Sequence, residues 1–179
     1  DLNLMERMLD EYLAFARGLA ADEPEDTELK SFVEATVRDA HREDKQVDFD
    51  ADGADTLIVP IRQTTMRRCL TNLINNAVNY GTRAHVELKV GAKFVEISIE
   101  DDGPGIPADR IEDAFRPFSR LDEGRNLDSG GGVGLGLAVA RDAARGHGGD
   151  ILLDKSRYGG LKATIRLPLE HSQRAPHAR

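Results

Sequence analysis

Residues 130–137, Gly-Gly-Gly-Val-Gly-Leu-Gly-Leu, are the stretch best suited to hold a polyanion. Backbone without side chains can approach a ligand closely and aim its N–H groups at phosphate, and a helix opening behind it adds a positive dipole end. The stretch is not a Walker-type loop, because no Lys-Ser/Thr pair follows the glycines. Nor is it a dinucleotide fingerprint, because a polar loop precedes it where a strand is required. By itself it also suits a flexible loop. Asn72 and Asn76, four residues apart, share one helix face. Mg2+ takes oxygen ligands and keeps several waters, so one amide oxygen beside a phosphate chain is a sufficient protein ligand. A solvated surface asparagine is the simpler alternative, and it is what Asn75 is expected to be. Asp101 ends an apolar strand at the turn Gly103-Pro104-Gly105. A carboxylate there accepts a hydrogen bond from an exocyclic amine and cannot pair with a carbonyl oxygen; a plain Asp-Gly turn is the alternative. Phe115 and Phe118 suit core anchors, while Arg116 and Arg120 are either surface cations or phosphate ligands.

In chain order, NLINNAVNY (72–80), DDGPG (101–105), FRPFSR (115–120) and GGGVGLGL (130–137) resemble the N, first-glycine, F and second-glycine boxes of the sensor histidine kinase catalytic domain. That domain shares its Bergerat-type fold with gyrase and mismatch-repair ATPases. The resemblance runs from Glu28 to Leu169, and its wording is most similar to the osmosensor EnvZ group. It implies an ATP site in which Asn76 ligates Mg2+, Asp101 takes the adenine amino group, Gly105 makes room for the ring and Tyr80 flanks it. Gly103, Ile106, Asn79, Phe115, Arg116 and Phe118 complete the implied nucleotide contacts, with Gly130, Gly132, Val133, Gly134, Leu135, Gly136 and Leu137 around the phosphates. The implied catalytic positions are Asn72 and Arg120, the latter on the terminal phosphate. At Asn72 related hydrolases carry a glutamate base; an amide cannot act as one, so transfer to a histidine is expected before hydrolysis. At Asn79 the family usually carries a cation, and a GHKL-type ATPase or a nucleotide-binding scaffold without kinase activity is the alternative. The implied partners are a response-regulator receiver domain and a second copy of the intact protein through its dimerisation helices.

These residues need elements to position them. Leu2, Met5, Met8, Leu9, Tyr12, Leu13 and Ala16 recur at three and four, one stripe of a helix that needs a partner, either its own domain or a helical hairpin or dimer. Residues 18–26 (GLAADEPED) read as an acidic linker. Ser31 and Glu34 have capping-box spacing for a helix starting near Ser31. Extended pieces are expected at 46–50 and 56–59 with Gly53 turning between them, a long helix at 63–80 ended by Gly81, and a hairpin of 84–90 with 95–99. A short helix follows Pro107, then a lid over Ser119 to Gly132, a helix over 133–144, and a last hairpin of 151–153 with 161–167. The order predicts an α+β two-layer sandwich, with helices on one face of a mixed, largely antiparallel sheet. The resemblance divides the chain into residues 1–18 as the second helix of a dimerisation hairpin, 19–27 as linker, 28–170 as catalytic ATP-binding domain and 171–179 as a disordered tail. The family's phosphoacceptor histidine precedes the segment that residues 1–17 resemble. His41, His85, His147, His171 and His177 lack its context and are expected at the surface.

Composition bounds the rest. The 179 residues suffice for one domain with an appendage, and the net charge of -8 disfavours nucleic acid as a partner. One cysteine, Cys69, excludes an internal disulfide and suits a reducing compartment, so the cytoplasm is expected. The charged, amphipathic opening is not a signal peptide, and any membrane anchor is expected upstream.

Overall fold

Strands from both halves of the chain build one five-stranded sheet, in the spatial order Val47–Asp52, Ala84–Val90, Phe94–Asp101, Leu161–Pro168 and Asp150–Lys155. The computed structural model describes residues 2–52, 56–116 and 136–169. In chain order the elements are α1 (Leu2–Ala21), β1 (Glu25–Glu28), α2 (Leu29–Arg42), β2 (Val47–Asp52), β3 (Ile58–Ile61), α3 (Gln63–Tyr80), β4 (Ala84–Val90), β5 (Phe94–Asp101), α4 (Ile111–Ala114), α5 (Gly136–Gly146), β6 (Asp150–Lys155) and β7 (Leu161–Pro168). A 3-10 turn, Ala108–Arg110, leads into α4. β2 runs parallel to β4 and the other pairings are antiparallel, giving the mixed α+β sheet expected from the element order.

Alternation places the core. Val86 and Leu88, Val95, Ile97 and Ile99, Ile151 and Leu153, and Ala163, Ile165 and Leu167 are buried on one side of the sheet. Helices α2, α3 and α5 meet that side. The buried stripe of α3 is Met66, Cys69, Leu70, Leu73, Ile74 and Ala77, at the three-and-four spacing of a helix face. Full burial of each large aliphatic side chain contributes about 1.5–3 kcal/mol. Small residues on α5, Ala140, Ala143 and Ala144, let it lie close to α3, so that the Cys69 thiol reaches the Ala140 carbonyl at 3.6 Å. Burial pushes that thiol up to about 12, which leaves it unreactive.

Three local expectations are corrected. The segment read as a linker holds the end of α1 and strand β1, because β1 pairs antiparallel with β3 in a separate two-stranded sheet. The pieces around Gly53 are therefore not a hairpin: β2 and β3 belong to different sheets. The cap of α2 is Glu28, whose carboxylate accepts from Ser31 N at 3.0 Å, so Ser31 lies inside the helix. Of the two partners left open for the stripe of α1, its own domain covers little of the described side chains: Leu2, Met5, Leu9 and Leu13 are exposed and Tyr12 is half-buried against the core.

Asp22 ties the end of α1 to the domain. Its carboxylate accepts from Thr65 N at 2.8 Å, capping α3 from outside, and its carbonyl accepts from the Arg62 guanidinium. Among the described residues no helix is long and apolar enough to cross a membrane.

Candidate functional site

Three of the sequence clusters meet where the C-terminal end of α3, the end of β5 and the first turn of α5 converge. Asp101 is the last residue of β5 and is 6% exposed. Its Oδ1 accepts from Gly103 N at 2.9 Å and from Leu161 N at 3.0 Å. Two amides on one oxygen fix the carboxylate, as a buried charge requires.

Gly103 and Gly105 require glycine for different reasons, the first a close approach of backbone and the second its left-handed φ. A Cβ on Gly103 would lie 2.8 Å from the Tyr80 carbonyl oxygen. Gly105 has φ +71 and rests on the Gly160 carbonyl, 3.2 Å from where its Cβ would be. Ile106 behind it is half-buried against the core.

On α3, Asn72 and Asn76 are half-buried, and Asn76 turns its amide to α5. A Cβ on Gly136 would lie 3.1 Å from Asn76 Nδ2 and 3.4 Å from Oδ1. The N box and the end of the second glycine box are thus in contact, and Leu137 packs on the core beside them. Asn79 and Tyr80 are exposed on the last turn of α3. Asn75 departs from expectation, since its Oδ1 accepts from Lys45 Nζ at 2.6 Å and it is no freely solvated residue.

Phe115 is buried, and the Arg141 guanidinium stacks on its ring at 4.4 Å. Arg116 is exposed and paired with Asp113 at 3.3 Å. Phe118, Arg120, Gly130, Gly132, Val133, Gly134 and Leu135 lie outside the described residues, as do the expected lid, His171, His177 and the tail.

Two contributors escaped the sequence reading. Asp102 clamps the end of α3 to the end of β5. Its Oδ1 accepts from Thr82 N at 2.7 Å and Arg83 N at 3.2 Å, and its Oδ2 from the Thr82 hydroxyl at 2.5 Å. The Thr82 hydroxyl and these amides hold its carboxyl down at about 2. The other is Gly160, whose N–H donates to the Asp101 carbonyl at 3.2 Å. Gly159-Gly160 lie between the two strands of the last hairpin, and only the pairing of β5 with β7 brings them to Asp101.

The described histidines differ from expectation at two points. His147 is half-buried: Nε2 accepts from Arg62 N at 3.0 Å and Nδ1 meets the Ala143 carbonyl at 2.7 Å. Burial holds its pKa below the ordinary value. His85 is also only partly exposed, edge-on to Tyr158 at 5.8 Å, whereas His41 is at the surface.

Residues 61–171 match the family described as histidine kinase-, DNA gyrase B- and HSP90-like ATPase. The sensor histidine kinase GtrS of Pseudomonas aeruginosa is 42% identical over 109 residues, which are 61% of this chain and 22% of GtrS. The sensor protein kinase CarS of the same organism is 34% identical over 152 residues, 84% of this chain and 32% of CarS. Among solved structures, the ATP binding domain of PrrB from Mycobacterium tuberculosis aligns with a TM-score of 0.65 at 26% identity, covering 83% of this chain and 99% of that one. The chain belongs to this ATPase family, as an ATP-binding catalytic domain of the histidine kinase type. It spans 22–32% of the length of the two kinases named.

Proposed function

We propose that this chain binds ATP with Mg2+ and presents the terminal phosphoryl group to a histidine on a dimerisation helix, for relay to an aspartate of a response-regulator receiver domain. The observation that carries the reading is Asp101, a buried carboxylate fixed by two backbone amides at a strand end beside the contact of Asn76 with Gly136. Asp101 selects adenine by accepting from its amino group, and the exposed Tyr80 ring lies along the base.

The donor set suits magnesium. Asn76 offers one neutral oxygen next to backbone that Gly136 leaves open, which is what an ion that keeps its waters and takes phosphate oxygens requires. Bound there, Mg2+ would neutralise charge on the phosphates. The protein's own part is positioning and charge. Residues 130–136 would give amides to the phosphates and Arg120 a cation to the terminal one. Asn72 holds no base, so water is not activated from α3. The acceptor imidazole is then the nucleophile: its nitrogen forms a bond to the terminal phosphorus as the bond to the bridging oxygen breaks, and ADP leaves with that oxygen. The intact protein would act as a homodimer through its dimerisation helices and work in the cytoplasm.

Calorimetric titration tests the reading. ATP with Mg2+ is expected to bind, ATP with excess chelator to bind more weakly, and GTP not to bind. Equal heats for ATP and GTP would remove Asp101 from the adenine site.

A further inference from the structure

The face of the sheet turned away from the helices carries a buried carboxylate that the nucleotide site does not use. Glu100 precedes Asp101 on β5, and consecutive strand residues face opposite sides, so Glu100 points away from the helices. It is only 3% exposed. A buried carboxylate persists where partners satisfy it, and here both oxygens are bound by one residue. Oε1 accepts from Arg157 N at 3.1 Å and Oε2 from Arg157 Nε at 3.0 Å. The same guanidinium reaches Glu87 on β4 at 2.9 Å.

Arg157 begins the turn that supports Asp101. Within it Ser156 N donates to the Gly160 carbonyl at 2.8 Å, Gly159 N to the Ser156 carbonyl at 3.1 Å and Tyr158 N to Ser156 Oγ at 3.0 Å. A turn so closed moves as a unit. At its far end Gly160 N and Leu161 N hold the Asp101 carbonyl and Oδ1, and the Gly160 carbonyl supports Gly105. The turn therefore clasps β5 from both faces, an ion pair on one side and two amides on the other.

We infer that Arg157 and Glu100 are positioning residues for the nucleotide site: their pair sets the turn whose amides aim Asp101 at the base. This rests on the assignment of Asp101 as the adenine acceptor. Loosening the pair frees the Leu161 amide from Oδ1 and lets the carboxylate rotate, so the base contact weakens while the proposed contacts at the phosphate end, Asn76 on α3 and Gly136 on α5 among them, do not. Around metal ions, loss of an outer partner that orients a ligand typically costs about tenfold or more, and a loss of that order is expected here.

The test compares ATP with inosine triphosphate, which has a carbonyl oxygen where adenine has the amine, on the 179-residue chain and its Arg157→Lys and Glu100→Gln variants. Arg157→Lys keeps the charge and backbone N–H but loses Nε; Glu100→Gln keeps the volume and one acceptor. Each is expected to weaken ATP about tenfold and leave inosine triphosphate unchanged, with the amide resonances of Gly160 and Leu161 displaced. Equal loss for both nucleotides assigns the pair to general stability and overturns the inference, as does unchanged ATP binding. Failure of both variants to fold assigns the pair to the fold and overturns the inference equally. Asp101→Asn separates the two assignments. If it leaves the preference for ATP intact, the adenine assignment itself falls; if it abolishes the preference while Arg157→Lys does not, only the positioning role falls.

Discussion

A Cβ on Gly160 would lie 2.0 Å from Oδ1 of Asp101 and 2.6 Å from its backbone oxygen. Neither atom is the end of a flexible chain, since one is held by two amides and the other belongs to β5. Gly160→Ala must therefore displace the turn or the carboxylate. The expected outcome is a loss of about 1–3 kcal/mol in stability, as for overpacking elsewhere, and a larger proportional loss of ATP binding. Thermal melts and calorimetry on the same samples read both; a variant that binds ATP normally would show that the contact does not matter to the site.

Asp101 is tested best by a substitution that respects its two amides. Asp101→Ala leaves Gly103 N and Leu161 N without their acceptor, which costs about 1–3 kcal/mol for each buried group. Asp101→Asn keeps an oxygen for them and replaces the other with a donor, which cannot accept from adenine. ATP affinity is expected to fall at least tenfold, with a melting temperature closer to wild type than that of Asp101→Ala. The reverse order of melting temperatures would contradict the bonding described for Oδ1.

With Asn76 as the proposed magnesium ligand, its contact with Gly136 would tie magnesium dependence to α5. A Cβ on Gly136 requires the Asn76 amide to yield by a few tenths of an ångström. Gly136→Ala is expected to reduce the gain in ATP affinity on adding Mg2+, and Asn76→Ala to abolish it. Titrations with and without chelator measure that gain, and an undiminished gain in Asn76→Ala would place the ion elsewhere.

His147 makes stability depend on pH. Burial holds its folded pKa below the ordinary 6.5, despite an opposing hydrogen bond to Ala143. The unfolded chain therefore takes up the proton first as pH falls. Its stabilising contribution is complete above about 6.5 and is lost as pH drops from there through the lower folded value. Protonation also removes the Nε2 lone pair that Arg62 N uses. Melting temperatures of wild type and His147→Asn between about pH 8 and pH 5 should diverge most at the high end and converge below pH 6.5. Parallel curves would show that His147 does not titrate in this window.

Phosphoryl transfer within the chain is not expected at its described histidines. His41 is bound to the Val47 carbonyl at 2.5 Å, His85 lies against Tyr158, and His147 uses both ring nitrogens. Radiolabelled ATP should label a helical hairpin bearing the acceptor histidine, supplied in trans, and leave the chain itself nearly unlabelled. Acid-labile label mapping to one of these three would show that the acceptor is misplaced.

Local patterns were legible wherever one residue's surroundings lie within a few positions of it. The stripe of α3, the hairpin β4–β5 and the closing hairpin β6–β7 follow from three-and-four or two-residue periodicity, because burial of one face selects the period. The clusters at 72–80 and 101–105 were recognisable by residue type, and what was chemical in Asp101 followed from its carboxylate at a strand end. Beyond those two hairpins, the structure alone decided which strands are neighbours. Periodicity says which side of β2 faces the core, not that β2 lies parallel to β4, nor that β3 leaves it to pair with β1. The cap of α2 fell to Glu28 and that of α3 to Asp22 for the same reason: an orphan amide takes whichever acceptor the fold delivers, and Asp22 is 43 residues from Thr65. Gly160 shows the limit most clearly. As a sequence it is half of a turn; only the register of β7 on β5 places it where a side chain would strike Asp101, because a site built across strands is defined by distances that the chain order does not contain.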